Sequence, residues 1–139
     1  MVERRRQRLR NALSGAIGWL GDNALNAAAY LSLLVASPVR ANVWVRSIAS
    51  FYPTINSVGE AEGLNGRLGR RGTCLSRSLA VAARCPGSHV VFGLVPPGEG
   101  RPTFAARRAV EAHAWVEIAG VPLKERDGVR PWVEIGRLA

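Results

Sequence analysis

Cysteine, histidine and lysine are all scarce in this chain. It has two cysteines, Cys74 and Cys85, eleven positions apart. If they share a helix they stand roughly 16 Å apart along its axis, well outside disulfide reach. That spacing excludes a disulfide framework. Nothing then points to an oxidising compartment, and a cytoplasmic location is expected. The only histidines are His89 and His113, so no His/Cys cluster with metal-ligand spacing can be assembled, and neither metal nor cofactor is expected. Long apolar runs are missing too. The richest stretch, Ala24 to Ala36, is too short to span a bilayer. Gly15, Gly18, Gly21 and Asp22 break up the apolar sequence behind the basic head, which disfavours a signal peptide. The expectation is a soluble chain, with peripheral membrane contact left open.

Lys124 is the only lysine, so arginine carries almost all of the net charge of +9. Arginines cluster in residues 4–10 and again at Arg67, Arg70, Arg71 and Arg77. Nucleic acid, an anionic membrane surface and an acidic protein would each be attracted to such charge. No interleaving of aromatic and basic residues accompanies it, and nucleic acid is therefore set aside as a partner.

What is present suits one domain: 139 residues, 47% of them apolar, enough for a core without staples. Residues 1–58 read as a helical N-terminal region. Leu9, Leu13, Ala16, Ile17 and Leu20 recur at helical spacing over residues 3–20. Asp22 is placed to cap a second helix reaching Ala36, with Leu25, Ala29, Leu33 and Ala36 among its buried candidates. Ser37-Pro38 reads as a cap and first-turn proline for a third helix, its stripe formed by Val39, Val43, Ile48 and Phe51. Five glycines between Pro53 and Gly72 predict a loop or a short, poorly stable helix. Residues 59–139 read as the α+β part. Thr73 caps a helix from Cys74 to about Arg84, ended by Pro86-Gly87. His89–Val95, Val110–Ile118, Val121–Glu125 and Pro131–Ile135 have strand character, and helix followed by antiparallel strands predicts an α+β fold.

Cys74 is the residue with the most chemical promise. A cysteine nucleophile works as a thiolate. At a helix start, unpaired amide N–H groups and the dipole stabilise negative charge on sulfur and then on an oxyanion. Cys85 lies at the other end of the same helix and reads as packing, which is also the commoner fate of any free cysteine. His113 sits inside a strand between two alanines, which leave room around its ring. Two registers are open to the hairpin at Ala119-Gly120. A two-residue loop sets His113 opposite Arg126. A three-residue loop with a glycine bulge sets it opposite Glu125, whose carboxylate would hold the ring. The second is favoured, because Gly120 suits a left-handed position and Ala119 does not. Asp127 is the alternative acid on the same face.

The stretches Cys74-Leu-Ser-Arg-Ser-Leu-Ala-Val-Ala82, Val90-Val-Phe-Gly-Leu94 and Ala112-His-Ala-Trp-Val-Glu-Ile118, then Gly120, resemble the transglutaminase-like B proteins of lasso-peptide biosynthesis. The resemblance covers about Gly72 to Asp127. It implies a transglutaminase-like or papain-like cysteine peptidase core that removes the leader from a ribosomally made precursor peptide. By position, Cys74 is the nucleophile, His113 the general base and acid, and Glu125 the third member, where the family usually has aspartate. The resemblance also implies three partners: the precursor leader, a separate leader-recognition protein of the kind used by split systems, and the cyclase that takes the freed core. Two other readings stay open at this stage. One is acyl transfer to an amine by the same residues; the other is a basic binding module without catalysis.

Overall fold

The computed structural model describes residues 2–69, 71–95, 111–124 and 133–139. Among the described residues four helices precede a four-stranded antiparallel sheet, an α+β arrangement. The helices are α1 (Val2–Val35), α2 (Pro38–Ala49), α3 (Val58–Leu68) and α4 (Cys74–Arg84). The strands are β1 (Ser88–Val95), β2 (Glu111–Ile118), β3 (Val121–Pro122) and β4 (Val133–Leu138), ordered β3-β2-β1-β4 across the sheet. Among the described residues no helix is long and apolar enough to cross a membrane.

The N-terminal region departs from expectation at three places. The two helices anticipated before Ala36 are one continuous α1. Asp22 does not cap a helix; it faces the interior, where Arg67 of α3 and Arg84 of α4 converge on its two carboxylate oxygens. With its side chain committed to those cations, it leaves the main chain of α1 unbroken. The stripe expected on α2 points outward: Val39, Val43, Ile48 and Phe51 are exposed. The buried face is made instead by Ala41, Asn42, Val45 and Ala49, small enough for α2 to lie close to its neighbours. Residues 58–68 form a helix despite their glycines. Ser57 accepts from the Glu60 N–H at 3.2 Å, and the Glu60 carboxylate accepts from the Asn56 N–H at 3.3 Å. Burial of Ala61, Leu64 and Leu68 on one face then offsets the roughly 1 kcal/mol that each glycine costs.

A single core runs through the molecule. Leu25 and Ala29 of α1, Val45 of α2 and Leu64 of α3 join Leu79, Val81 and Ala82 of α4. Val90, Ala114 and Val116 complete it from the sheet. α4 touches both the other helices and strands β1 and β2, so it is the layer between them. Its C-terminal end is fixed by Arg84. Besides pairing with Asp22, Arg84 donates to the Pro53 carbonyl at 3.2 Å and lies 5.7 Å from the Tyr52 ring.

The hairpin corrects the favoured register. Ile118 pairs with Val121 and Glu117 with Pro122, a two-residue loop with Ala119 at φ 52° and Gly120 at φ 77°. Both central residues thus take the positive φ that a tight primed turn requires. The reason is Leu123. In the observed register it lies beside Val116, donates its N–H to the Val116 carbonyl at 2.9 Å and is buried in the core. A slip of one residue would turn it to the opposite face with Trp115. Burying a leucine is worth about 1.5–3 kcal/mol, against about 1–2 for a left-handed alanine. Burial wins.

Asp22 is the junction of α1, α3 and α4, and Asp22→Ala leaves the nearly buried Arg84 cation uncompensated. A loss of about 3 kcal/mol in urea denaturation is expected; a loss within experimental error would refute the role given to Asp22.

Candidate active site

The site starts from the cap of α4. Thr73 Oγ1 accepts from the Ser76 N–H and Ser76 Oγ accepts from the Thr73 N–H, both at 3.0 Å, closing a reciprocal capping box. Gly72 at φ 69° is the approach to this cap. A Cβ there would overlap the Ser76 hydroxyl, so the position requires glycine twice over. Cys74 is therefore the first helical residue, where the N–H groups of Cys74 and Leu75 have no carbonyl four residues back to bond.

One turn further along α4, Ser78 Oγ donates to the Ala114 carbonyl at 3.2 Å in a buried contact between helix and strand. Val116 turns its carbonyl toward β3. Ala114, two residues away, points its main-chain groups the same way. α4 thus docks its first two turns against the β3-side edge of β2. This brings the Cys74 sulfur to the Ala114 main chain and to the imidazole of His113. The His113 side chain hydrogen-bonds to Cys74 and is the largest cause holding that thiol below its ordinary pKa. Partial burial opposes the effect, while the Ala114 main chain and the nearby charges of His113 and Arg77 add to it. Burial pushes the Cys85 thiol the other way, upward, at the far end of the same helix. One helix thus carries two thiols in opposite electrostatic settings.

His113 is held from its own face of β2. Its ring stacks near Trp115, centroids 6.2 Å apart and planes 21° from parallel. Trp115 Nε1 donates to Glu117 at 3.1 Å, and Arg137 of β4 reaches Glu117 at 3.6 Å and pairs with Glu134. Across the sheet the residue paired with His113 is Gly93, which puts no side chain beside the ring. His89 is the second residue of β1, next to Ser88, whose Oγ donates to the Ala82 and Cys85 carbonyls, so it lies at the C-terminal end of α4, away from Cys74.

Glu125 and Asp127 lie outside the described residues. The register that would have set Glu125 directly opposite His113 is not the one adopted, so cross-strand pairing no longer favours Glu125 over Asp127. Sequence reading missed Ser78, Trp115 and Gly93 as positioning groups. Of these, only Gly93 carried a signal, a glycine inside a strand. A cavity of about 620 Å³ opens at the approach to α4, lined by Asn23, Asn26 and Tyr30 of α1 and by Arg71, Gly72 and Thr73, the residues that lead up to Cys74. Arg71 braces its wall, bonding Asn23 at 2.8 Å and lying 4.6 Å from the Trp19 ring. Buried Asn26 donates to the Arg71 carbonyl at 3.1 Å and leaves its Oδ1 unpartnered among the described residues. Among the described residues no group of three His, Cys, Asp or Glu side chains is arranged to hold a metal ion.

Alkylation of native protein by iodoacetamide at graded pH tests the two thiols together. Cys74 is expected to react with an inflection below the ordinary thiol range, because its thiolate is the stabilised form. His113→Ala moves that inflection upward, and Cys85 stays inert. Equal, slow reaction of both cysteines would contradict the geometry. Compared with known proteins, the chain matches no family model, no curated protein and no solved structure.

Proposed function

We propose that this chain is a cysteine peptidase that removes the leader from a lasso-peptide precursor, using a transglutaminase-like core. The observation that carries the reading is the hydrogen-bonded Cys74–His113 pair at the N-terminus of α4, with the thiol pKa lowered. Burial alone would have raised it, as it does at Cys85. A lowered cysteine pKa beside an imidazole and unbonded helix amides is the arrangement that nucleophilic catalysis needs. Cys74 is half-buried rather than sealed in the core, and a cavity lies at the Arg71–Thr73 approach to it.

The chemistry runs in two halves. Cys74 thiolate attacks the carbonyl that joins leader to core, and the resulting oxyanion is bound by the N–H groups at the start of α4. The imidazolium of His113 gives its proton to the departing core amine as the C–N bond breaks, leaving the leader as a thioester on Cys74. His113, now neutral, takes a proton from water as that water attacks the thioester. The leader leaves as a carboxylic acid, and the proton returns to the Cys74–His113 pair. The freed amino terminus of the core passes to a separate cyclase. An acid at Glu125 or Asp127 orients the imidazole, and a separate recognition protein delivers the leader.

The test incubates the chain with the precursor peptide and recognition protein encoded beside it, and reads product masses. Cys74→Ala should abolish cleavage, and His113→Ala should lower its rate by on the order of 10²–10⁴. Glu125→Gln and Asp127→Asn, compared side by side, identify the orienting acid by which one loses activity. Without the recognition protein cleavage should be weak. Product masses also separate hydrolysis from transfer to an amine. Full cleavage by Cys74→Ala would overturn the proposal.

A further inference from the structure

α1 has two working faces, and the function above uses only one. Asp22, Leu25, Asn26 and Ala29 face the body and are buried. The opposite face carries Leu13, Ile17, Leu20, Ala24, Ala27, Leu31 and Leu34, all exposed. Ile17 is 69% exposed and Leu34 64%, where a helix outside a core should present polar groups. The spacings along this face are 4, 3, 4, 3, 4 and 3 residues. That is the alternation of a coiled-coil seam, sustained over about 33 Å of helix, and it calls for another helix rather than a flat surface.

The seam is also a palindrome. From Ile17 to Leu34 the spacings read 3, 4, 3, 4, 3 in either direction. The side chains run large, large, small, small, large, large: Ile17, Leu20, Ala24, Ala27, Leu31, Leu34. A two-fold interface needs a surface that is complementary to its own reverse. Laid antiparallel on a second copy, Ile17 meets the partner's Leu34, Leu20 meets the partner's Leu31, and Ala24 meets the partner's Ala27. Volumes match at every layer, and the central alanines let the helices approach closely. The flanking positions Ser14, Gly21, Ala28, Ala16, Asn23 and Tyr30 carry no charged side chain of their own, and the cation nearest them, Arg71, is engaged by Asn23 and Trp19. Charge also decides the direction. Parallel pairing would lay Arg4, Arg6, Arg8 and Arg10 of two copies side by side, whereas antiparallel pairing sends them to opposite ends.

We infer that the outer face of α1 is the interface of an antiparallel homodimer centred between Leu25 and Asn26. The pairing stands independently of the peptidase reading, yet it reaches the same cavity. Ala27 of the seam and its neighbours Asn23 and Tyr30 also line the cavity at the Arg71–Thr73 approach to α4, so the partner's α1 passes next to it.

Sedimentation equilibrium from low to high micromolar concentration is the test. The wild-type mass should rise to twice that of the chain. Leu20→Glu and Leu31→Lys should each raise the dissociation constant by on the order of a hundredfold, with helical circular dichroism unchanged because both residues are exposed. Mixing the two variants should restore a dimer, since only the antiparallel register sets residue 20 against residue 31. Three results would overturn the inference: a wild-type chain monomeric throughout, variants that still dimerise, or a mixture that stays monomeric. A monomer that binds anionic vesicles or an acidic protein through this face would overturn it equally.

Discussion

The candidate site depends on one buried contact, the hydrogen bond from Ser78 of α4 to the Ala114 carbonyl of β2. A carbonyl at the edge of a strand is ordinarily answered by another strand. Here a helix side chain answers it, and the first two turns of α4 come to lie against the strand edge. Cys74 is one turn from Ser78 on the same helix, and His113 is one residue from Ala114 on the same strand. Their meeting follows from that docking. The remaining constraints keep α4 from sliding or tilting. The capping box and Gly72 set where the helix begins, and Arg84 with Asp22 anchors where it ends. A buried bond of this kind contributes only about 1 kcal/mol net, but leaving its carbonyl unmet would cost about 1–3. The penalty for misplacement is what specifies the geometry.

The two cysteines show how position alone divides one chemistry into two. Both sit on or at the end of α4, and both are at least partly buried. At the N-terminus the sulfur finds an imidazole, a main-chain group and a nearby guanidinium, and its pKa falls. At the C-terminus Cys85 is packed among core side chains, and burial outweighs the nearby arginines. The helix dipole favours the anion at the first site and opposes it at the second. The direction of the shift, more than the presence of a thiol, distinguishes a candidate nucleophile from a packing residue.

Much of this was legible in the sequence, for local reasons. Thr73 and Pro86-Gly87 bracket α4 with cap and turn signals that depend on few neighbours, and they placed Cys74 at the helix start. His113 inside a strand was legible from the residues around it. What failed depended on distant partners. Asp22 looked like a cap because only the folded chain brings Arg67 and Arg84 to it. The outward stripe of α2 looked buried because periodicity marks a face without saying which way it points. The register differs by one residue because the turn sequence reflects only the local strain on Ala119, while burial of Leu123 decides the pairing. That slip matters most at the site, since it removes the cross-strand argument that had singled out Glu125 as the acid behind His113.

The most direct measurement uses a leader peptide carrying an α,β-unsaturated ester, a Michael acceptor that forms a stable thioether, in place of the scissile carbonyl, added with the recognition protein. Intact mass and peptide mapping then locate the covalent adduct. The account predicts one equivalent on Cys74, formed much more slowly in His113→Ala and absent from Cys85. Labelling shared between the two cysteines, or no adduct while Cys74 stays open to iodoacetamide, would contradict it.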